Sequence, residues 1–187
     1  MNLPFAEECG RRLAAWLTDH AERVEVAGSV RRRHPSPNDL DLVVIPRMEE
    51  ERDIFGQVAR RVNMTWREID RRISADKWEV RCAGAEHVSW VARGVQVDLW
   101  WADPDKWGTH MLCRTGSREH NIWLAQLAIE RGGKWHPGAG LYIRNTRISD
   151  TEEAIYDALG MAWLPPEQRE AHLLPRAGLI RPRGIGG

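Results

Sequence analysis

The stretch Val26-Ala-Gly28-Ser29-Val-Arg-Arg-Arg-His-Pro-Ser-Pro-Asn38-Asp39-Leu-Asp41-Leu-Val-Val-Ile45 is the most informative segment of the chain. It contains a Gly-Ser turn, a basic loop, and two aspartates that lead into an apolar run. Residues two apart in a strand point to the same face, so Asp39 and Asp41 are expected to project side by side. Two carboxylates this close repel each other unless a cation lies between them.

Mg²⁺ with a phosphate group would supply that cation, because Mg²⁺ is usually held by one or two carboxylates and substrate oxygens. An Asp-x-Asp at the start of a strand is more often simply solvated. The Gly28-Ser29 turn just upstream favours a chemical role.

Composition sets wide bounds on the class of protein. The chain has 187 residues, of which 42% are hydrophobic, which predicts one compact unit or two small subdomains. No apolar run reaches transmembrane length and no signal-peptide pattern is present, so we expect no membrane partner. The cysteines at 9, 82 and 113 lack metal-type spacing, which disfavours zinc and fits a reducing, cytoplasmic setting. The 27 basic and 27 acidic residues balance, so net charge does not indicate nucleic-acid binding.

Hydrophobic periodicity predicts the order of the elements. In the first half we expect a helix over 4–20, strands over 24–27 and 39–46, a helix over 49–62, and strands over 66–74, 78–82, 87–93 and 95–101. In the second half we expect helices over 107–113, 118–131 and 149–159, with Ser117 as an N-cap and a hairpin or loop over 134–148.

A third acid lies in the last predicted strand of the first half. Asp98 alternates with Val97 and Leu99, so it shares a face with Gln96 and Trp100. An isolated strand acid is equally compatible with an exposed edge residue. Placed beside Asp39 and Asp41, it would complete a three-carboxylate cluster, an arrangement that functional sites tolerate.

Several motifs in fixed order identify a family. The unit Gly28-Ser29…Asp39-Leu-Asp41 is common to nucleotidyltransferases in general. The later runs narrow the choice: Val97-Asp98-Leu, Trp107-Gly108-Thr, Cys113-Arg114-Thr115-Gly116-Ser117-Arg-Glu-His-Asn121, Gly140-Leu-Tyr, Thr151-Glu-Glu-Ala-Ile155 and Pro165-Pro-Glu-Gln-Arg169-Glu170. Over residues 20–170 the chain resembles the family X DNA polymerases, the group that contains polymerase beta.

The resemblance implies an α+β fold: a nucleotidyltransferase palm with a mixed or antiparallel sheet flanked by helices, then a small helical C-terminal thumb. The expected subdomains are a palm over 1–105, a thumb over 106–173 and a flexible tail over 174–187. The resemblance implies a layout similar to the short viral enzymes of the family, in which we expect no amino-terminal lyase domain.

The resemblance also implies roles for individual residues. Asp39, Asp41 and Asp98 are the expected catalytic ligands of two Mg²⁺ ions, for which Mn²⁺ could substitute. Gly28, Ser29, Arg32 and the backbone amide of Asn38 are expected at the nucleotide phosphates. Arg31 and Arg33 are expected to be solvated.

Thr115 and Gly116 are expected to line the nucleotide sugar, and Asn121 to reach the incoming base. His120 is expected at the surface. The family's aromatic pair at the sugar is Cys113-Arg114 in this chain, which leaves sugar discrimination open. Its template-contacting arginine position falls on Ala125, which predicts low fidelity.

The function that the resemblance implies is DNA-directed DNA synthesis. The expected partners are primer-template or gapped DNA and a dNTP, the expected role is DNA repair or short gap filling, and the expected state is a monomer. Two alternatives remain open: a template-independent or non-DNA nucleotidyltransferase, and a DNA-end-binding protein with weak activity.

Overall fold

The computed structural model describes residues 1–174 and divides into two compact units. The first unit comprises Met1–Val26 and Ser36–Ala102, and the second comprises Ala27–Pro35 and Asp103–Gly187. The chain therefore leaves the first unit after Val26, contributes a short segment to the second, and returns. Beyond Leu174, the expected flexible tail lies outside the described residues.

The elements follow one another as a sheet-rich half and a helix-rich half. From the N-terminus they are α1 (Leu3–Thr18), β1 (Ala21–Val26), α2 (Gly28–Arg31), β2 (Asp39–Pro46), β3 (Met48–Arg52), β4 (Val58–Asn63), α3 (Met64–Asp76), β5 (Glu79–Ala83), β6 (His87–Ala92) and β7 (Val95–Trp101). Then come α4 (Trp107–Thr115), α5 (Arg118–Glu130), β8 (Gly133–His136), β9 (Gly140–Ile143), β10 (Thr146–Ile148) and α6 (Glu152–Ala158). Short 3-10 helices occupy Pro104–Lys106, Pro166–Gln168 and Ala171–Leu173.

The first unit is built on a five-stranded sheet of order β1-β2-β7-β6-β5. The central pair, β2 and β7, is parallel, and the other neighbours are antiparallel. The predicted α+β class with a mixed sheet flanked by helices is confirmed. Leu40, Leu42 and Val44 share one face of β2 and are almost fully buried, which gives that face of the sheet its core.

Helix α1 begins where Asn2 caps it, with Asn2 Oδ1 accepting a hydrogen bond from Phe5 N at 3.0 Å. It buries Ala6 and Leu17, and Gly10 allows close packing on β1, because an added Cβ would lie 3.2 Å from a Val26 methyl group. This helix matches the periodicity of the sequence.

Two predicted elements of the first unit are wrong. The predicted helix over 49–62 is the β3–β4 hairpin, in which Asp53 Oδ1 accepts from the backbone N–H groups of Phe55 and Gln57, both at 2.9 Å. Gly56, at φ +78°, completes that turn. The predicted strand over 66–74 belongs to α3, which Asn63 caps by accepting from Trp66 N at 2.8 Å.

The second unit packs α4, α5 and α6 with a three-stranded antiparallel sheet of order β10-β9-β8. Its core is centred on Leu112, Leu124, Leu141, Ile155 and Leu159, each with no exposed surface. The predicted N-cap is confirmed, since the Ser117 hydroxyl accepts from His120 N. The segment predicted as a hairpin or loop over 134–148 forms most of the small sheet.

Within residues 1–174, none of the helices has the length and apolar character needed to cross a membrane.

Candidate functional site

The three candidate carboxylates lie on one face of the central parallel pair. Asp41 is paired with Asp98 across β2 and β7, and Asp39 is paired with Gln96. Neighbouring parallel strands lie about 4.8 Å apart, and paired residues point to the same face. The strand register therefore places Asp39, Asp41 and Asp98 on the same face of two neighbouring strands, and Asp98 is 8% exposed.

Polar and aromatic neighbours contact Asp98 and Asp41. His87 Nε2 lies 2.8 Å from Asp98 Oδ1, and Gln96 Nε2 donates to Asp98 Oδ2 at 2.8 Å. Trp100 Nε1 donates to Asp41 Oδ1 at 3.3 Å, and the Trp100 ring stacks on the His87 ring with centroids 3.9 Å apart. Sequence reasoning placed Gln96 and Trp100 on this face but missed His87, which is paired with Trp100 on the adjacent strand.

The chemical type of the donors on this face suits Mg²⁺. Three carboxylates supply the hard oxygen ligands that Mg²⁺ prefers. In the described part of the chain, no three His, Cys, Asp or Glu side chains already converge as ligands. Both Asp98 oxygens are engaged by His87 and Gln96, which are the kind of outer partners that orient a metal-binding carboxylate.

The predicted phosphate-binding residues Gly28, Ser29 and Arg32 belong to the second unit, and Asn38 is an exposed residue of the first. Gly28 has φ +59°, a backbone conformation that residues other than glycine rarely adopt. The Ser29 hydroxyl is buried and has no hydrogen-bond partner among residues 1–174. A buried hydroxyl without a partner is unfavourable, which makes Ser29 a candidate donor to an external acceptor.

Arg31 is only partly exposed and is held in an ionic network, so its predicted solvation is wrong. Its guanidinium donates to both carboxylate oxygens of Glu152, at 2.9 and 2.8 Å, and to Thr115 Oγ1 at 2.7 Å. Arg169, which is fully buried, also donates to Glu152, from Nη1 to Oε1 at 2.7 Å. Burial alone raises the pKa of Glu152, but the hydrogen bonds and charges of the two arginines outweigh burial and lower the pKa to about 2.

The predicted sugar and base residues make contacts inside the second unit. The Thr115 side chain has no exposed surface and is bonded to Arg31. Gly116 has φ +67° and is joined to Ser117 by a cis peptide bond. The Asn121 amide donates to the Cys113 carbonyl at 2.8 Å.

Cys113 and Arg114 stand where the family has its aromatic pair, and both are partly buried. Burial raises the pKa of the Cys113 thiol to about 11, so the thiol is protonated at neutral pH.

His120 lies in the core, and its predicted surface position is wrong. It has no exposed surface, and its Nε2 is 2.7 Å from the Tyr156 hydroxyl. Burial, reinforced by the charge of Arg169, lowers the pKa of His120 to about 4. His120 is therefore neutral at pH 7 and ties α5 to α6.

Comparisons with known proteins agree with this architecture. Residues 110–170 match the family model for the DNA polymerase beta thumb. The fold is similar to that of Leishmania infantum polymerase beta in its ternary P/T complex, with 19% sequence identity, 91% of this chain and 76% of that chain covered, and a TM-score of 0.69. For the ternary gap complex of the same polymerase, the identity is 18%, the coverage 91% and 70%, and the TM-score 0.70. A search of curated protein sequences found no match.

A mixed sheet flanked by helices, followed by a helical unit, therefore defines a polymerase beta-like fold. The second unit also matches the polymerase beta thumb model over residues 110–170, so the chain is similar to polymerase beta both in its fold and in this thumb segment.

Proposed function

We propose that the chain is a DNA-directed DNA polymerase that adds dNTPs to a primer 3′-hydroxyl, in DNA repair or short gap filling. The observation that carries the proposal is the β2–β7 register, which pairs Asp41 with Asp98 and keeps Asp39 on the same face. The similar Leishmania infantum structures are ternary complexes, one of them described as a gap complex, which supports DNA as the partner.

We assign Asp39, Asp41 and Asp98 as ligands of two Mg²⁺ ions, with Mn²⁺ able to substitute. When bound, the two ions would activate the attacking hydroxyl and neutralise the charge of the triphosphate. The chain itself holds the ligands in place: His87 and Gln96 orient Asp98. Carboxylates that are already oriented need little reorganisation during the reaction.

We assign the phosphate contacts to the second unit. The buried hydroxyl of Ser29 lacks an acceptor among the described residues, and a phosphate oxygen would satisfy it. Arg32 supplies a guanidinium, whose planar donors suit phosphate oxygens.

Replacing Asp98 with alanine tests the proposal. Loss of one charged ligand is worth several kcal/mol of transition-state stabilisation, so primer extension should fall by about 10³-fold. Extension should be measured on a one-nucleotide gap with Mg²⁺ and dNTP, with thermal melting to confirm that the variant is folded.

Asp103→Ala is the matched control, because Asp103 is an exposed acid whose side chain is 64% accessible. It should extend primers at the wild-type rate. A folded Asp98→Ala variant with unchanged extension would overturn the assignment.

A template-independent nucleotidyltransferase is the second candidate. The Asn121 amide, which the family resemblance assigns to the incoming base, is bonded to the Cys113 carbonyl, and this observation favours weaker base reading. Extension of single-stranded primer at the rate seen on gapped duplex, with dNTP and NTP compared side by side, would select this candidate.

A further inference from the structure

Arg32, the proposed phosphate-binding arginine, is already engaged by an acid of its own unit. Its Nε donates to Glu170 Oε1 at 2.8 Å, and its Nη1 donates to the Thr115 carbonyl. The Arg32 and Glu170 side chains are only 14% and 24% exposed. The pair is therefore screened by solvent much less than a surface ion pair.

Two further residues of the second unit, Gly116 and Glu119, lie near the Arg32 guanidinium. Gly116 is a close neighbour of the guanidinium, since a Cβ at position 116 would lie 3.4 Å from Arg32 Nη1. A second acid, Glu119, is within electrostatic reach. Its pKa is lowered by hydrogen bonds from its own backbone and from Ser117, and further by the charges of Arg118 and then Arg32. Among these acids, Glu170 is the one hydrogen-bonded to Arg32.

A carboxylate and a phosphate present the same kind of acceptor to a guanidinium. We infer that Glu170 is an internal competitor of nucleotide phosphate for Arg32. In the nucleotide-free chain Glu170 holds and neutralises Arg32, and a bound triphosphate must exchange with it. Glu170 is thus a positioning residue that lowers nucleotide affinity. The inference rests on the proposed role of Arg32.

Glutamine at position 170 keeps the shape and removes the charge. We expect Glu170→Gln to bind dNTP and inorganic tripolyphosphate, both with Mg²⁺, roughly 5- to 10-fold more tightly than wild type, within the range of ordinary coupling between sites. In primer extension, KM for dNTP should fall by the same factor while kcat stays within twofold. A purely structural role would instead lower kcat or leave KM unchanged.

Glu167→Gln is the matched control, since Glu167 is an exposed acid three residues earlier in the same segment. It should bind both ligands with wild-type affinity. If Glu170→Gln melts below the assay temperature, Glu170→Asp, whose shorter side chain retracts the carboxylate from Arg32, should show the same tightening.

A double-mutant cycle separates direct competition from a general charge effect. In the Arg32→Gln background, Glu170→Gln should leave affinity unchanged. Equal tightening with and without Arg32, or no tightening of a folded Glu170→Gln, would overturn the inference. A failure of the proposed function would give a different result. If Arg32 does not bind the nucleotide phosphates, wild type and Arg32→Gln should bind dNTP with equal affinity.

Discussion

Replacing Glu152 with glutamine should destabilise the second unit by ~3 kcal/mol at pH 7. The Glu152 side chain is 6% exposed and is hydrogen-bonded by Arg31 and Arg169. Its pKa falls from an ordinary 4.5 to about 2, which at about 1.36 kcal/mol per pKa unit corresponds to ~3 kcal/mol in favour of the ionised, folded state. Removal of one partner from a buried ion pair typically costs about 3–5 kcal/mol, because the other charge is left uncompensated.

The pH dependence provides a second readout. Because the folded-state pKa lies below the unfolded value of 4.5, this stability is fully present above pH 4.5 and is lost as the pH falls toward 2. The difference in the free energy of unfolding between wild type and Glu152→Gln should therefore become smaller below pH 4.5. Urea unfolding followed by tryptophan fluorescence at pH 7, 5 and 3.5 measures it.

The control is Glu153→Gln, an exposed acid on the same helix. It should change the free energy of unfolding by about 0.5 kcal/mol or less. The reasoning would be refuted by a Glu152→Gln variant as stable as wild type at pH 7, or by a difference that does not narrow at pH 3.5.

Three further predictions concern the second unit and the free thiols. Gly108→Ala should lower stability by about 1–3 kcal/mol or more, because a Cβ would lie 2.3 Å from the Thr151 carbonyl carbon, and an unchanged melting temperature would contradict this. His120, with a folded-state pKa of about 4 against an ordinary 6.5, contributes stability that is present above pH 6.5 and is lost as the pH falls toward 4. His120→Gln should flatten the stability profile in that window, by up to ~3 kcal/mol, and superimposable profiles would argue against it. Iodoacetamide at pH 8 should label the exposed Cys82 and spare Cys113, because the pKa of the Cys113 thiol is about 11. Mass spectrometry measures the labelling, and equal labelling of the two cysteines would contradict the burial of Cys113.

The carboxylate face could be predicted from the sequence because it depends on strand alternation alone. Asp39 and Asp41 are two apart in β2, and Asp98 alternates with buried Val97 and Leu99 in β7. With one face of each strand buried, a one-residue slip would expose the apolar set. This constraint fixes the face that the three acids share, and the structure adds that Asp41 is paired with Asp98.

The hairpin at 48–63 was mispredicted because neither strand buries a continuous apolar face. Its acids suit a helix N-terminus, yet they form cross-strand ion pairs, as Glu51 does with Arg60 at 2.6 Å. The Asp53…Gly56 turn was the available signal for a hairpin, whose turn residues Ile54 and Phe55 are 94% and 80% exposed.

The buried polar contacts of the second unit had no local signal. Arg31 is 121 residues from Glu152, and His120 is 36 residues from Tyr156. Polar residues are usually exposed, so a sequence pattern assigns them to the surface until their partners are known.

The second unit is discontinuous in sequence, because segment 27–35 belongs to it. This affects how the second unit can be produced as an isolated fragment. A fragment cut at the bounds of the thumb match, 110–170, keeps Glu152 and Arg169 but leaves Arg31 behind. Such a fragment would contain a buried carboxylate with one of its two cations missing. Autonomous folding of the thumb therefore calls for complementation, with a peptide spanning 27–35 supplied in trans or grafted by circular permutation.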